Sequence, residues 1–227
     1  MLPQSLSHVR LAPSILAAPL HNIAALGAQL EASVADWVHI DVMDGEFVPN
    51  LTFGMPIVQA FRPYTTKLLD VHLMIVRPER YIAAFAAAGA NVLTVHLEAC
   101  PHLHSVLSQI KATGMRTGLA LNPHTPINQA IPVLHMVDVL CLMSVNPGFG
   151  GQAFIPQTIG RIAEALALKE AHNPLMQIEI DGGVTMANAR QIAEAGADVL
   201  VAGSSVFNAN GLAHNLSTLR HLLDLAS

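Results

Sequence analysis

Short apolar, β-branched runs recur along the chain, each followed by a turn and then a stretch with helical spacing. Continuous runs of this kind mark strands covered on both faces, as in a parallel sheet. The pattern predicts eight strands, near Leu11–Leu16, Trp37–Met43, Leu69–Ile75, Val92–Glu98, Thr117–Asn122, Val139–Val145, Gln177–Asp181 and Val199–Gly203. Helical periodicity fills the intervals, for example over Pro78–Ala88 and Ala187–Ala195. Ala87–Leu93 is echoed by Glu194–Leu200, with Gly89 and Gly196 placed where a helix end turns into the next strand. Eight strand–helix units predict an α/β fold, a single-domain (β/α)8 TIM barrel over residues 1–227, since open doubly wound sheets usually have fewer strands. The longest gaps, 44–68 and 146–176, begin with Gly- and Pro-rich loops that are candidate lids.

In such a barrel the chemistry gathers at the carboxyl ends of the strands. Side-chain alternation places His39, Asp41 and Met43 on one face of the second strand and Val38, Ile40 and Val42 on the other. Asp70, His72 and Met74 share a face of the third, and Asp181 ends the seventh just before Gly182 and Gly183. His39, Asp41, His72 and Asp181 form a mixed nitrogen and oxygen set suited to Zn²⁺, Mn²⁺, Fe²⁺ or Co²⁺ rather than Ca²⁺. A single strand-end histidine is more often hydrogen-bonded packing than a ligand, and the chain's 12 histidines supply many decoys. From the pattern alone, a metal and ordinary packing are evenly matched. Two carboxylates able to approach one atom from opposite faces suggest chemistry that removes a proton and returns it inverted.

Glycine-rich segments follow three adjacent strands: Asn146–Gln152, Gly182-Gly183 and Gly203-Ser204. Glycine permits the close backbone approach of an anion nest, and the three loops together favour phosphate. The lysines, Lys67, Lys111 and Lys169, avoid the strand ends, which argues against Schiff-base chemistry. Composition adds bounds. With 52% apolar and 12% charged residues in 227, much of the chain must be interior or lie at subunit contacts, which favours a homo-oligomer. A net charge of −5 without a basic stripe argues against nucleic-acid binding. Cys100 and Cys141 form no disulfide framework, and Cys141 reads as reduced core. Met1–Ser14 has no continuous apolar stretch, and the alanine-rich run Ile82–Val95 is broken by Gly89 and Asn91. A soluble cytoplasmic protein without signal peptide or membrane span is expected.

Several motifs, in order across nearly the whole chain, resemble the ribulose-phosphate 3-epimerase family. They are Pro13–Leu16, His39–Asp44 continuing through Phe47–Gly54, Asp70–Met74, Val95–Glu98, Asn146–Gln152 and Glu179–Gly183. The resemblance implies a (β/α)8 barrel that interconverts D-ribulose 5-phosphate and D-xylulose 5-phosphate in the pentose phosphate pathway. It implies one divalent cation per subunit, Zn²⁺ foremost with Fe²⁺, Mn²⁺ or Co²⁺ as alternatives, held by His39, Asp41, His72 and Asp181. Asp41 and Asp181 become the acid/base pair as well, acting at C3 through a metal-stabilised enediolate. Ser14, His72, Gly148, Phe149, Gly150, Gly151, Gly182, Gly183, Gly203 and Ser204 become substrate contacts, and Met43, Met74 and Met143 line the pocket. His96 reads as packing or as support behind a ligand. Pro19 and Glu46 depart from residues common in the family, an acid and a histidine, at positions that are not among the implied ligands or bases and bear on loop conformation rather than on the reaction. D-allulose 6-phosphate is the alternative substrate, disfavoured by Asn50–Gly54 and the double glycine. A non-catalytic sugar-phosphate binder is a further alternative, disfavoured because all four ligand positions are filled.

Overall fold

The computed structural model describes residues 6 and 8–225; of the leader reading over Met1–Ser14, residues 1–5 and 7 lie outside the described ones. Eight parallel strands pair in the order β1-β8-β7-β6-β5-β4-β3-β2. They are β1 (Arg10–Pro13), β2 (Trp37–Met43), β3 (Leu68–Met74), β4 (Val92–His96), β5 (Arg116–Leu121), β6 (Val139–Met143), β7 (Gln177–Asp181) and β8 (Val199–Ala202). The seam between β1 and β2 is joined by one parallel bridge, Ser14 to His39, beside a bond from the Asp36 amide to the Leu11 carbonyl. The sheet is thereby a nearly closed barrel with helices around it, as the strand count predicts.

Alternation sorts every strand into two layers. Outward residues such as Ile40, Val71 and Ile180 join one continuous core with Leu30, Phe61, Leu107 and Leu219 of the surrounding helices. That double cover is why the strand sequences are apolar almost throughout. Inward residues near the amino ends, Trp37, Val92, Val139 and Val199 among them, pack into a separate apolar floor. The Arg116 guanidinium lies 5.3 Å from the Trp37 ring and donates to Gln177 Oε1.

The helices are α1 (Ile23–Ala32), α2 (Met55–Phe61), α3 (Ile82–Ala88), α4 (Leu103–Ala112), α5 (Thr158–His172), α6 (Ala189–Glu194) and α7 (Leu212–Asp224). Gly89 and Gly196 end α3 and the α6 turn with φ of +99° and +115°, as the echoed motif predicts. Between β5 and β6 the chain forms a 3₁₀ run over Ile127–Met136 instead of an α-helix, because Pro132 inside it has no N–H to donate. The helix expected over Pro78–Ala88 is split at Tyr81 into a 3₁₀ turn and α3. Several strands stop earlier than their apolar runs. The chain leaves β1 at Pro13 for a 3₁₀ turn over Ile15–Ala17, capped by Ser14 Oγ accepting from the Leu16 amide. Likewise β4 ends at His96, and Leu97–Ala99 form a 3₁₀ turn. Among the described residues no helix is long and apolar enough to cross a membrane. Cys100 and Cys141 are buried free thiols.

Candidate active site

Strand register brings the chemistry-bearing residues together at the carboxyl mouth. Asp41 of β2 lies opposite His72 of β3, and one step below, His39 lies opposite Asp70. Asp181 ends β7 opposite Met143 of β6. Going round the barrel from β2, β7 is reached only after β1 and β8, so Asp41 and Asp181 enter the mouth from different sides. One donor atom from each of His39, Asp41, His72 and Asp181 falls within 4.8 Å of the others. His39 Nε2 is 3.2 Å from Asp41 Oδ1 and 3.8 Å from Asp181 Oδ2, while His72 Nδ1 is 3.5 Å and 3.3 Å from the same two oxygens.

Three of these four side chains, Asp41, His39 and His72, are held from behind. Ser14 Oγ donates to Asp41 Oδ2 at 2.5 Å. Asp70 Oδ2 lies 2.6 Å from His39 Nδ1, which leaves His39 Nε2 directed at the acids. His72 Nε2 meets His96 Nε2 at 2.9 Å, and His96 Nδ1 meets Glu98 Oε2 at 3.2 Å. Burial disfavours charge on His39, yet the carboxylates of Asp41 and Asp70 outweigh it and hold its pKa well above the usual histidine range. His72 is raised in the same direction, its burial outweighed by the nearby carboxylates of Asp181 and Asp41. Burial would lift Asp41, but the two histidines pull it below the usual carboxylate range. His96 is held down to about 4 by burial. Burial, together with the charge of Asp70, pushes the Glu179 carboxyl well above the usual carboxylate range.

The donors fit a divalent cation. His72 Nδ1 is fully buried with no hydrogen-bond partner, although it points at two carboxylates. Two imidazole nitrogens and two carboxylate oxygens form the donor set that Zn²⁺ and its neighbours accept. No lysine or arginine lines the cleft above to neutralise the acids.

That cleft has a volume of about 190 Å³, the scale of a small metabolite rather than a polymer. Asp41 and Asp181 form its floor, and Met43, Met74 and Met143 its apolar wall. Ser14, Gly148, Phe149, Gly150, Gly151, Gly182, Gly183, Gly203 and Ser204 line the remainder, so all of these expected contacts come together. His39 and His72 do not line it; both are fully buried behind the carboxylates. The double glycine is required by crowding as well as by conformation. A Cβ on Gly182 (φ +113°) would meet Val145 at 2.3 Å, and one on Gly183 (φ +65°) would meet the Phe154 backbone at 2.5 Å. The carbonyls of Gly182, Gly183 and Gly203 accept from Ser144 Oγ, Asn188 Nδ2 and the Val206 amide respectively. In trans peptides the following N–H groups, on Gly183, Val184 and Ser204, point the opposite way. The loops after β2 and β6 are tied by Asn50 Nδ2 donating to the Gly148 carbonyl at 2.9 Å, and Gln152 Nε2 bridges the Asn146 and Phe149 carbonyls.

Sequence reasoning gave no role to Asp70, Glu98, Asn50 or Gln152. Asp70 had a signal, lying two residues before His72 and therefore on the same face; Glu98 lies in a turn past β4, where alternation says nothing.

Fold and site together define a (β/α)8-barrel enzyme with an acid pair and two histidines gathered at the carboxyl mouth, in an arrangement that could hold a divalent metal. Comparison with known proteins narrows this. The chain belongs to the ribulose-phosphate 3 epimerase family, whose model matches residues 10–207, and it is accordingly an isomerase. The ribulose-phosphate 3-epimerase of Bacillus subtilis is 49% identical over 217 residues, covering 93% of this chain and 98% of that protein. That of Synechocystis sp. is 46% identical over 216 residues, covering 94% of each. Among solved structures, KGPDC from Streptococcus mutans superposes with a TM-score of 0.68 over 98% of each chain. At 15% identity the likeness extends to the fold alone.

Proposed function

We propose that this chain interconverts D-ribulose 5-phosphate and D-xylulose 5-phosphate by moving the proton at C3, with Asp41 and Asp181 as its two bases. The observation that carries the reading is their placement: they enter one cleft from β2 and β7 and share its floor. One carboxylate takes the proton from one face of the ketose while the other, as an acid, delivers a proton to the opposite face. In the reverse direction they exchange roles. Ser14 Oγ donates to Asp41, and a cation shared with His39 and His72 would hold both carboxylates in place, so little orientational entropy would be lost in the chemical step. A divalent cation held by His39, Asp41, His72 and Asp181 would supply Lewis-acid stabilisation of the negative charge that develops as C3 loses its proton.

The phosphate end is assigned to the loops after β6, β7 and β8, where the N–H groups of Gly183, Val184 and Ser204 offer a cradle without a cationic side chain. Met43, Met74, Met143 and the tied lid loops would exclude water from the reacting carbon. We assign Zn²⁺ as the resident cation because two histidines and two carboxylates suit it, and a homo-oligomer because apolar residues make up 52% of the chain. The two free thiols fit a reducing, cytoplasmic setting. Residues 1–227 are assigned to one catalytic domain.

Metal content and kcat/KM measured in parallel on D-ribulose 5-phosphate and D-allulose 6-phosphate test the reading. Bound metal with a clear preference for the pentose supports it. Preference for the hexose would replace the substrate, and no turnover of either by metal-loaded protein would overturn the reading.

A further inference from the structure

Behind His72 lies a chain of polar side chains that the reaction itself does not use. His72 and His96 present their Nε2 atoms to each other at 2.9 Å, with the rings stacked at 25° and centroids 4.9 Å apart. Phe47, from the loop after β2, covers His96 with ring centroids 4.7 Å apart. On its other side His96 Nδ1 faces Glu98 Oε2 at 3.2 Å. The second oxygen, Glu98 Oε1, is already engaged, accepting from the Asn122 amide at 2.9 Å and from Thr125 Oγ1. That loop is fixed in turn by Arg161 of α5, whose guanidinium donates to the Asn122 and Thr125 carbonyls, both at 2.9 Å.

With both rings neutral, as ligation of a cation requires of His72, hydrogen-bond capacity leaves one consistent assignment of protons along this chain. A carboxylate only accepts, so Glu98 Oε2 requires the proton of His96 on Nδ1. A neutral imidazole carries one N–H, so His96 Nε2 is a lone pair and accepts. The gap of 2.9 Å between the two Nε2 atoms must hold a proton, and that proton belongs to His72. His72 Nδ1 is then a bare lone pair, facing Asp41 Oδ1 at 3.5 Å and Asp181 Oδ2 at 3.3 Å, which is the form a metal ligand needs. Its burial without a hydrogen-bond donor is the mark of that choice.

We propose that Glu98, acting through His96, is a positioning residue that sets the tautomer of His72 and so prepares Nδ1 for a cation. The inference rests on the reading of His72 as a ligand given above. It gives the loop after β5 and helix α5 a part in metal affinity, although neither reaches the cleft floor.

Glu98→Gln is the sharpest test, because it changes one atom and leaves the shape of the side chain. Its Oε1 would keep accepting from Asn122 and Thr125, turning the amide nitrogen towards His96 Nδ1. His96 must then carry its proton on Nε2 instead, and His72 is left with its Nδ1 protonated. Metal-free native, Glu98→Gln, His96→Leu and His96→Gln proteins would be titrated with Co²⁺ against a competing chelator. Nitrogen-15 histidine spectra of the Zn²⁺-loaded native protein would read the two rings. We expect His96 protonated on Nδ1 and His72 on Nε2. Co²⁺ affinity should fall about 10- to 100-fold in Glu98→Gln and His96→Leu, with the metal-free melting temperature of Glu98→Gln near native. His96→Gln, which restores an acceptor for His72, should stay within a few-fold of native. Native Co²⁺ affinity in Glu98→Gln, or a native His96 protonated on Nε2, would overturn the relay alone. A native protein that binds no Co²⁺ would overturn the ligand reading and the relay with it.

Discussion

At the amino end of the barrel, Trp37, Val92, Val139 and Val199 fill the interior with apolar side chains. Further along the same strands, at inward positions of the same alternation, stand His39, Asp41, His96 and, from neighbouring strands, Asp70, His72, Glu179 and Asp181, almost all buried as deeply. The backbone geometry is the same at both ends and only the side chains differ. The floor gains stability by removing apolar surface from water. The mouth gathers unpartnered polar atoms, among them Asp70 Oδ1, His72 Nδ1 and both Glu179 oxygens, an arrangement costly for stability alone. One end of each strand serves the fold and the other serves the reaction.

The largest effect that would break this division is at the mouth. Asp181→Asn should keep the fold, as circular dichroism would show, and lower kcat by about 10²–10⁴, the worth of one acid/base group. Near-native turnover would remove Asp181 from the reaction.

The floor should respond in the opposite sense. Trp37→Ala should cost about 3–5 kcal/mol of stability by denaturant titration, as large aromatic truncations in cores do. The fraction that remains folded should turn over at close to the native kcat. A loss of kcat in folded protein would mean that the two ends are not separable.

A smaller effect concerns the loop that leads into β3 at the amino end. Glu31 of α1 accepts from Thr65 Oγ1 at 2.6 Å and from the amide and hydroxyl of Thr66, which lowers its pKa from 4.5 to about 2. A carboxyl group depressed in the folded state contributes stability that is present above its unfolded pKa and is lost as pH falls through the folded value. The melting-temperature difference between native and Glu31→Gln should therefore be small at neutral pH and fade between about pH 4.5 and 2, with kcat unchanged. A difference that persists at pH 2 would contradict that origin.

Much of this division can be read from the chain. Trp37–Met43 and Gln177–Asp181 have their expected ends to the residue, because a polar strand-end group followed by glycine or a turn marks where each ladder stops. The ends of β1, β4 and β6 were less legible. The apolar runs past Pro13, His96 and Met143 continue into buried turns, and hydrophobicity does not separate a strand residue from a buried turn residue. The 3₁₀ run over Ile127–Met136 was hidden in the same way, since its apolar spacing resembles that of an α-helix. At the site, alternation identifies the inward face, and so His39, Asp41, His72 and Asp181. It does not give the register between strands. The bonds from His39 to Asp70 and from His72 to His96 depend on which residues neighbouring strands set side by side.

The central claim is that two acids serve opposite faces of one carbon and exchange protons with water. The most direct measurement follows conversion of D-ribulose 5-phosphate in D₂O by the metal-loaded native protein, with mass and NMR analysis of D-xylulose 5-phosphate at early conversion. Solvent deuterium at C3 of the product is the predicted result. Complete retention of the substrate's own hydrogen at C3 would contradict the two-acid account.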